Sequence, residues 1–420
     1  MQAYNMKDSG VEVLADIPTH WEAGKIKNGF YLKPSNVDKK THDDEIAVEL
    51  CNYVDVYYND FIVNKLPFME ATAKQTEIDK FSLQIDDVII TKDSEDPMDI
   101  GVPALVKENK PNLVCGYHLT MLKKRLNNVS GAFLFWVLKD SAIASQLYRE
   151  ATGVTRWAIS SRNIKNVSIP YPSYDEQKTI ASYLDKACEK IDKTLFIKQQ
   201  QLDKLEAYRK SIIHEAVTKG LDENVAMKDS AVEWVGDIPE HWSIQKLRYY
   251  LTLQNGKLIN NEEFDPDGKY PIYGGNGVLG RSHKFNYADE ILILGRVGAK
   301  CGNVHFTAQE IWVSDNAIAV KTNQNYLFFY YLLKDMNLNH IASDTAQPLL
   351  VGNNVKKLYF PLPKINEQKA IANYLEKACK KIDKTKAVIE SQITTLSQYR
   401  QSLIHESVTG KKRIYQDDIN

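Results

Sequence analysis

The chain has 420 residues, 43% of them hydrophobic and 25% charged, with a formal net charge of −1. These values are those of a globular protein and exclude a disordered chain, while the length predicts two or more cores rather than one. The longest apolar runs, such as residues 327–333, are too short to cross a bilayer, and residues 1–8 carry no apolar signal core; a soluble, cytoplasmic protein with no membrane partner is expected.

Taken in order, residues 6–22 form a polar frame containing Asp16-Ile17-Pro18-Thr19-His20-Trp21. A segment of mixed character follows. Ile46, Val48 and Leu50 alternate with polar neighbours, the period of two of a half-buried strand. Residues 88–90 and 119–122 are further strands, and residues 132–138 read as a buried helix. The run from Gly153 to Asn163 then offers two arginines, hydroxyls and an amide suited to backbone and base contacts, or equally to a polar connection.

Asp175-Glu176-Gln177, just after Pro170 and Pro172, marks a helix start, because an acidic first turn complements the helix dipole. Leu184, Ile191, Leu195, Leu202, Leu205 and Ile212 then recur at heptad spacing, with Cys188 and Arg209 at intervening seam positions. Near Gly220 the helix should stop. About 44 residues at 1.5 Å per residue give a rod of roughly 65 Å.

A second frame, residues 227–243, repeats the first with 11 of 17 positions identical. It leads into a different insert, with strands expected at residues 291–294, 303–306 and 317–320 and a helix at 326–335. Glycine-rich loops at 273–281 and 295–302 are neither a Walker sequence nor a dinucleotide fingerprint. They suit close approach of backbone to a DNA groove, with Arg281, Arg296 and Lys300 as phosphate or guanine contacts; ordinary hairpin turns with solvated cations are the alternative.

Residues 366–409 repeat 175–218 with 25 of 44 identical, carrying the seam Leu375, Ile382, Ile389, Ile393, Leu396 and Leu403. Two such seams in one chain favour an intramolecular pair. The order frame, insert, helix, frame, insert, helix, read as a circle, predicts a pseudo-twofold axis and therefore antiparallel pairing: Leu184 against Leu403, Ile191 against Leu396, Leu205 against Ile382, Ile212 against Leu375. In that register Lys198 and Lys386 each lie on an apolar partner with the ammonium in water. Cys188 and Cys379 would then be roughly 31 Å apart, too far for a disulfide. The five cysteines read as buried thiols, and no zinc-type spacing occurs. His20 and His241 read as frame packing, and His214 and His405 as cations suited to helix C-termini. With no GxSxG, HExxH or paired-acid motif, the chain is expected to be non-catalytic, with no metal site.

The frame Asp237-Ile238-Pro239-Glu240-His241-Trp242, the helix start Glu367-Gln368-Lys369-Ala370-Ile371-Ala372-Asn373-Tyr374-Leu375 and the run Ser402-Leu403-Ile404-His405-Glu406-Ser407-Val408-Thr409-Gly410 closely resemble the specificity subunit of type I restriction-modification systems. The resemblance spans nearly the whole chain. It implies an α+β architecture of six segments: frames at 1–22 and 227–243, target-recognition domains at 23–170 and 244–361, and helical regions at 171–226 and 362–420. It further implies that each insert reads one half of a bipartite, asymmetric double-stranded DNA site. The paired helices would act as a ruler between the halves and dock two adenine methyltransferase (modification) subunits, joined by restriction (translocase) subunits. S-adenosylmethionine, ATP and magnesium would sit on those partners and none on this chain. Candidate DNA contacts are Lys92, Tyr117, His118, Arg156, Ser160, Ser161 and Arg162 in the first insert. In the second they are Lys257, Asn276, Arg281, Arg296, Lys300, Asn316 and Gln347. The residues alone leave open a protein-interaction scaffold without DNA readout, or an enzyme seated in the glycine-rich insert.

Overall fold

The computed structural model describes residues 4–343 and 347–419. Two long helices, Tyr174–Lys219 and Ile365–Val408, run through a mixed α+β fold. The chain divides into two compact units, residues 1–198 with 392–420 and residues 199–391, so that each long helix contributes one half to each unit.

Within each unit the helix halves run antiparallel. In the first, Leu184, Cys188 and Ile191 share a core with Leu403, Ile404 and Val408, flanked by Leu195 and Leu396. In the second, Ile212, Ala216 and Val217 share one with Ile371, Leu375 and Ile382, flanked by Leu205. The expected seam residues are all buried or half-buried. Lys386 does not simply reach water, however: its ammonium donates to Glu206 Oε1 at 2.8 Å. All five cysteines are buried free thiols.

The frames fold alike because their sequences repeat. Met6–Asp8 pairs antiparallel with Asp16–Pro18, and Met227–Asp229 with Asp237–Pro239 in the same register. Trp21 and Trp242 are fully enclosed. Each is tied to the start of a long helix by a repeated acid. Glu176 accepts from His20, Trp21, Ser173 and Tyr4, and Glu367 from His241 and Trp242. The neighbouring glutamine holds the insert instead. Gln177 Oε1 accepts from the Ser130 backbone N–H and Gln368 Oε1 from that of Asn325. Ser130 and Asn325 in turn cap the buried insert helices Gly131–Lys139 and Tyr326–Asp335. At the other helix ends His405 pairs with Asp140 and His214 with Asp335, each at 2.9 Å.

The two inserts share one plan. In the first, Phe30–Pro34, Leu119–Lys124, Val88–Thr91 and Pro103–Val106 form neighbouring antiparallel strands, extended by Phe61–Ile62. In the second, Leu251–Asn255, Ala317–Thr322, Ile291–Gly295 and Val304–Thr307 do the same. A smaller sheet accompanies each: Ile46–Cys51 between Met69–Ala73 and Leu113–Cys115, and Tyr270–Gly274 between Gly277–Ser282 and Trp312–Val313. The main difference lies in this sheet's hairpin. The second insert turns through Gly275-Asn276, whereas the first runs through Asn52–Phe68, which includes the helix Tyr53–Tyr57.

Candidate nucleic-acid interface

The shared plan makes positions in the two inserts comparable through their backbone hydrogen bonds. The Lys92 N–H donates to the His118 carbonyl, and the Arg296 N–H to the Asn316 carbonyl, both at 3.0 Å. The Lys92 carbonyl then accepts from Ile159, and the Arg296 carbonyl from Leu350. Lys92 is thus the counterpart of Arg296, and His118 of Asn316. Ile159 matches Leu350, which aligns Arg156 with Gln347. One platform therefore presents unlike polar side chains in the two units.

In the first unit an acid organises the platform. Asp93 Oδ1 lies 2.5 Å from His118 Nδ1 and accepts from Arg156 Nε at 2.9 Å and Nη2 at 2.6 Å. Asp93 sits on the short strand Asp93–Ser94, which pairs with Trp157–Ala158, so backbone pairing brings the acid to Arg156. Burial pulls the His118 pKa down, Asp93 opposes this, and Arg156 and Lys92 push it further down. A neutral ring facing a carboxylate, which can only accept, carries its proton on Nδ1. Nε2 is then the ring's acceptor, with Arg156 Nη2 3.3 Å from it. Tyr117 packs on this ring, with centroids 3.7 Å apart. Lys92 is also held: its ammonium donates to the Ser35 carbonyl at 2.8 Å, and burial lowers its pKa.

Beside this cluster, Tyr53 and Tyr57 stack at 5.5 Å and tie to Ser94 and Asp99. With Tyr58, His118 and Arg156 they line an open groove of about 450 Å³. Ser160, Ser161 and Arg162 stand apart from it. The Ser160 hydroxyl caps the helix Ser161–Asn166, and exposed Arg162 lines a separate groove with Gln146 and Arg149.

In the second unit the two glycine-rich loops pack on each other. A Cβ on Gly295 would overlap the Gly275 carbonyl, and one on Gly275 would lie 3.1 Å from Val297 O. The close approach that these glycines allow is therefore intramolecular. Around this contact gather Arg296, which donates to the Asp315 carbonyl at 3.0 Å, Asn316, and Asn276, whose amide oxygen accepts from Asn303. Exposed Gln347 begins a segment that runs along the same loop, with Leu349 bridging Val297. Lys300 is exposed in the turn of that loop, and Lys257 is exposed on the neighbouring segment that bridges Ser314. Arg281 is spent elsewhere, donating to the Gly268 and Lys269 carbonyls at 2.5 and 2.6 Å.

Sequence reasoning did not single out Asp93, since an acid is not sought in a basic patch. It also passed over His305, whose buried Nε2 has no hydrogen-bond partner among the described residues. Burial, with Lys334 acting in the same direction, lowers its pKa. No group of acids, histidines or cysteines among the described residues is arranged to hold a metal ion, and no described helix is long and apolar enough to cross a membrane.

Comparison with known proteins places these units. The type I restriction modification DNA specificity domain matches twice, over residues 25–207 and 239–395. A Methanocaldococcus jannaschii protein, provisionally assigned as the MjaX type I restriction enzyme specificity subunit, is 23% identical over 435 residues, spanning 99% of each chain. The Escherichia coli type I restriction enzyme EcoprrI specificity subunit is 31% identical over 158 residues, 37% of this chain and 38% of its own. Among solved structures, a chain from a study of type I R-M system assembly and conformational transition superposes with TM-score 0.71 at 14% identity. It covers 93% of this chain and 98% of its own. The HsdS subunit of Thermoanaerobacter tengcongensis gives 0.53 at 15% identity, with 94% and 98% coverage.

Proposed function

Because the chain belongs to the type I restriction modification DNA specificity family, a family of non-catalytic DNA-recognition subunits, we propose that it reads a bipartite, asymmetric site in double-stranded DNA. Each insert contacts one half-site. The observation that carries this reading is the shared platform with unlike side chains: Lys92, His118 and Arg156 in one unit, Arg296, Asn316 and Gln347 in the other. Equivalent frameworks with different donors and acceptors read different bases. Lys92, Tyr117, His118 and Arg156 make the first set of contacts, with Ser160, Ser161 and Arg162 on flanking phosphates. Lys257, Asn276, Arg296, Lys300, Asn316 and Gln347 make the second, and Arg281 supports its hairpin.

The helices and frames dock two modification subunits and a restriction subunit, which bring S-adenosylmethionine, ATP and magnesium. The segments 1–22, 23–170, 171–226, 227–243, 244–361 and 362–420 are the working parts, with the helices fixing the spacer between half-sites. The net charge of −1 fits a chain whose partners supply much of the phosphate grip, so the lone chain binds DNA weakly.

A single-molecule methylation map of cells with and without the gene tests this. Loss of one bipartite adenine-methylation motif is expected on deletion, and exchange of residues 244–365 should change one half of that motif. If the exchange changes the protein partner and leaves the motif intact, the chain is a scaffold.

A further inference from the structure

The repeat makes the two units comparable residue by residue, and at one place they differ in what covers them. In the first unit the chain after the second long helix folds back over Tyr183. Lys412 donates to the Tyr183 hydroxyl at 2.6 Å, with its ammonium 4.8 Å from the ring centroid. Lys186 holds the Ile419 carbonyl at 2.6 Å, and Ile414 and Ile419 are each only 9% exposed. A cluster of cations, Lys411-Lys412-Arg413, thus leads a branched aliphatic residue into the unit.

The counterpart of Tyr183 in the second unit is Tyr374, and it is 43% exposed. After the first long helix the chain runs on through Leu221 into the second frame and leaves a groove of about 550 Å³. Tyr374, Ile212, Leu221 and Met227 supply its apolar lining, with Leu221 46% and Met227 41% exposed. Glu215, Asp222 and Glu223 stand at its edge against the single cation Lys219. Exposed Tyr374, Leu221 and Met227 leave the groove apolar surface for an occupant to cover, and its acidic edge selects a basic one.

We propose that this groove on the second unit docks a short segment of a partner subunit, in which two or three cations precede a branched aliphatic residue. The first unit's own tail shows the chemistry that this face accepts. Aliphatic burial seats the segment, the Tyr374 hydroxyl accepts from a cation as that of Tyr183 does, and Glu215, Asp222 and Glu223 fix its direction. The inference rests on the partner docking proposed above and not on the DNA contacts.

The test uses the intact chain and a fluorescent peptide of residues 409–420 as the probe, followed by anisotropy. Saturable one-to-one binding is expected, weakened by salt. Tyr374→Ala and Glu215→Lys should each weaken it at least tenfold, and a scrambled peptide of equal charge should bind at least tenfold more weakly. Both side chains lie at an open groove, so the variants should keep the wild-type circular dichroism. No saturable binding, or binding indifferent to Tyr374→Ala, overturns the proposal. So does a chain that dimerises by itself and dissociates on Tyr374→Ala, since the groove would then belong to a second copy.

Discussion

Arg400, on the second long helix, grips Asp192 on the first, with Nε 2.8 Å from one carboxylate oxygen and Nη2 3.1 Å from the other. The repeat places the same contact in the second unit with the helices exchanged, where Arg209 pairs with Asp383. The Arg400 side chain is only 12% exposed; it also reaches Asp60 at 3.4 Å and lies over the Trp136 ring. Arg400→Ala should therefore destabilise the protein by about 2 kcal/mol, the range of a charge-assisted hydrogen bond. Arg209→Ala should cost about half as much, because Asp383 is largely solvated. Urea midpoints of the two variants check the ranking; equal losses would remove the roles of Asp60 and Trp136.

The frames carry a second exchange. Each has two left-handed backbone positions. Glycine fills the first and alanine the second in one copy, Gly10 and Ala15, and the reverse holds in the other, Ala231 and Gly236. A Cβ at Gly10 or Gly236 meets nothing within 4 Å, so the cost of alanine is conformational rather than steric. Ala15→Gly and Ala231→Gly should each stabilise by about 0.5–1 kcal/mol, since the left-handed strain relieved exceeds the added chain entropy. A melting temperature that falls in both variants would contradict this.

Much of this architecture was legible because the sequence repeats. The acidic first turn and the repeat located both long helices within a residue of their observed starts, alternation located the strand around Val48, and short apolar runs located those around Ile89 and Ile293. Side-chain partners across long separations were not legible. Asp192 lies off the hydrophobic seam, so periodicity says nothing of its partner, and Asp93 reaches His118 and Arg156 only through strand pairing 25 and 63 residues away. The Glu-Gln start of each helix carried a dipole signal, but its two-way tie to frame and insert needed the fold.

Acid should find the frames first. Burial alone would raise the Glu176 pKa, but hydrogen bonds from His20, Ser173, Trp21 and Tyr4 outweigh it and bring the group down to about 2. A carboxylate with a depressed folded pKa stabilises the fold above its ordinary value of 4.5, and that stability is lost as pH falls towards about 2. Glu176→Gln should remove part of the stability slope between those limits. Its cost at neutral pH should be about 1–2 kcal/mol, reduced by the 24% of the side chain that meets solvent. Urea titrations at a series of pH values check this, and an unchanged slope would show that Glu176 is not held as described.

The platform predicts how base reading can be moved. Arg156→Gln and His118→Asn give the first unit the side chains that the second carries at Gln347 and Asn316. Discrimination at a contacted base pair is worth about 1–3 kcal/mol, so methylation should shift by about 5- to 150-fold at one or two positions of one half-site. The other half-site should stay as it was. Asp93→Ala acts differently: it removes the acceptor that fixes both Arg156 and His118 while leaving both side chains present. That variant should relax the same positions rather than switch them. Methylation maps of cells carrying each variant with the modification subunit separate the cases, and a change in both half-sites, or in neither, would remove these residues from the reading surface.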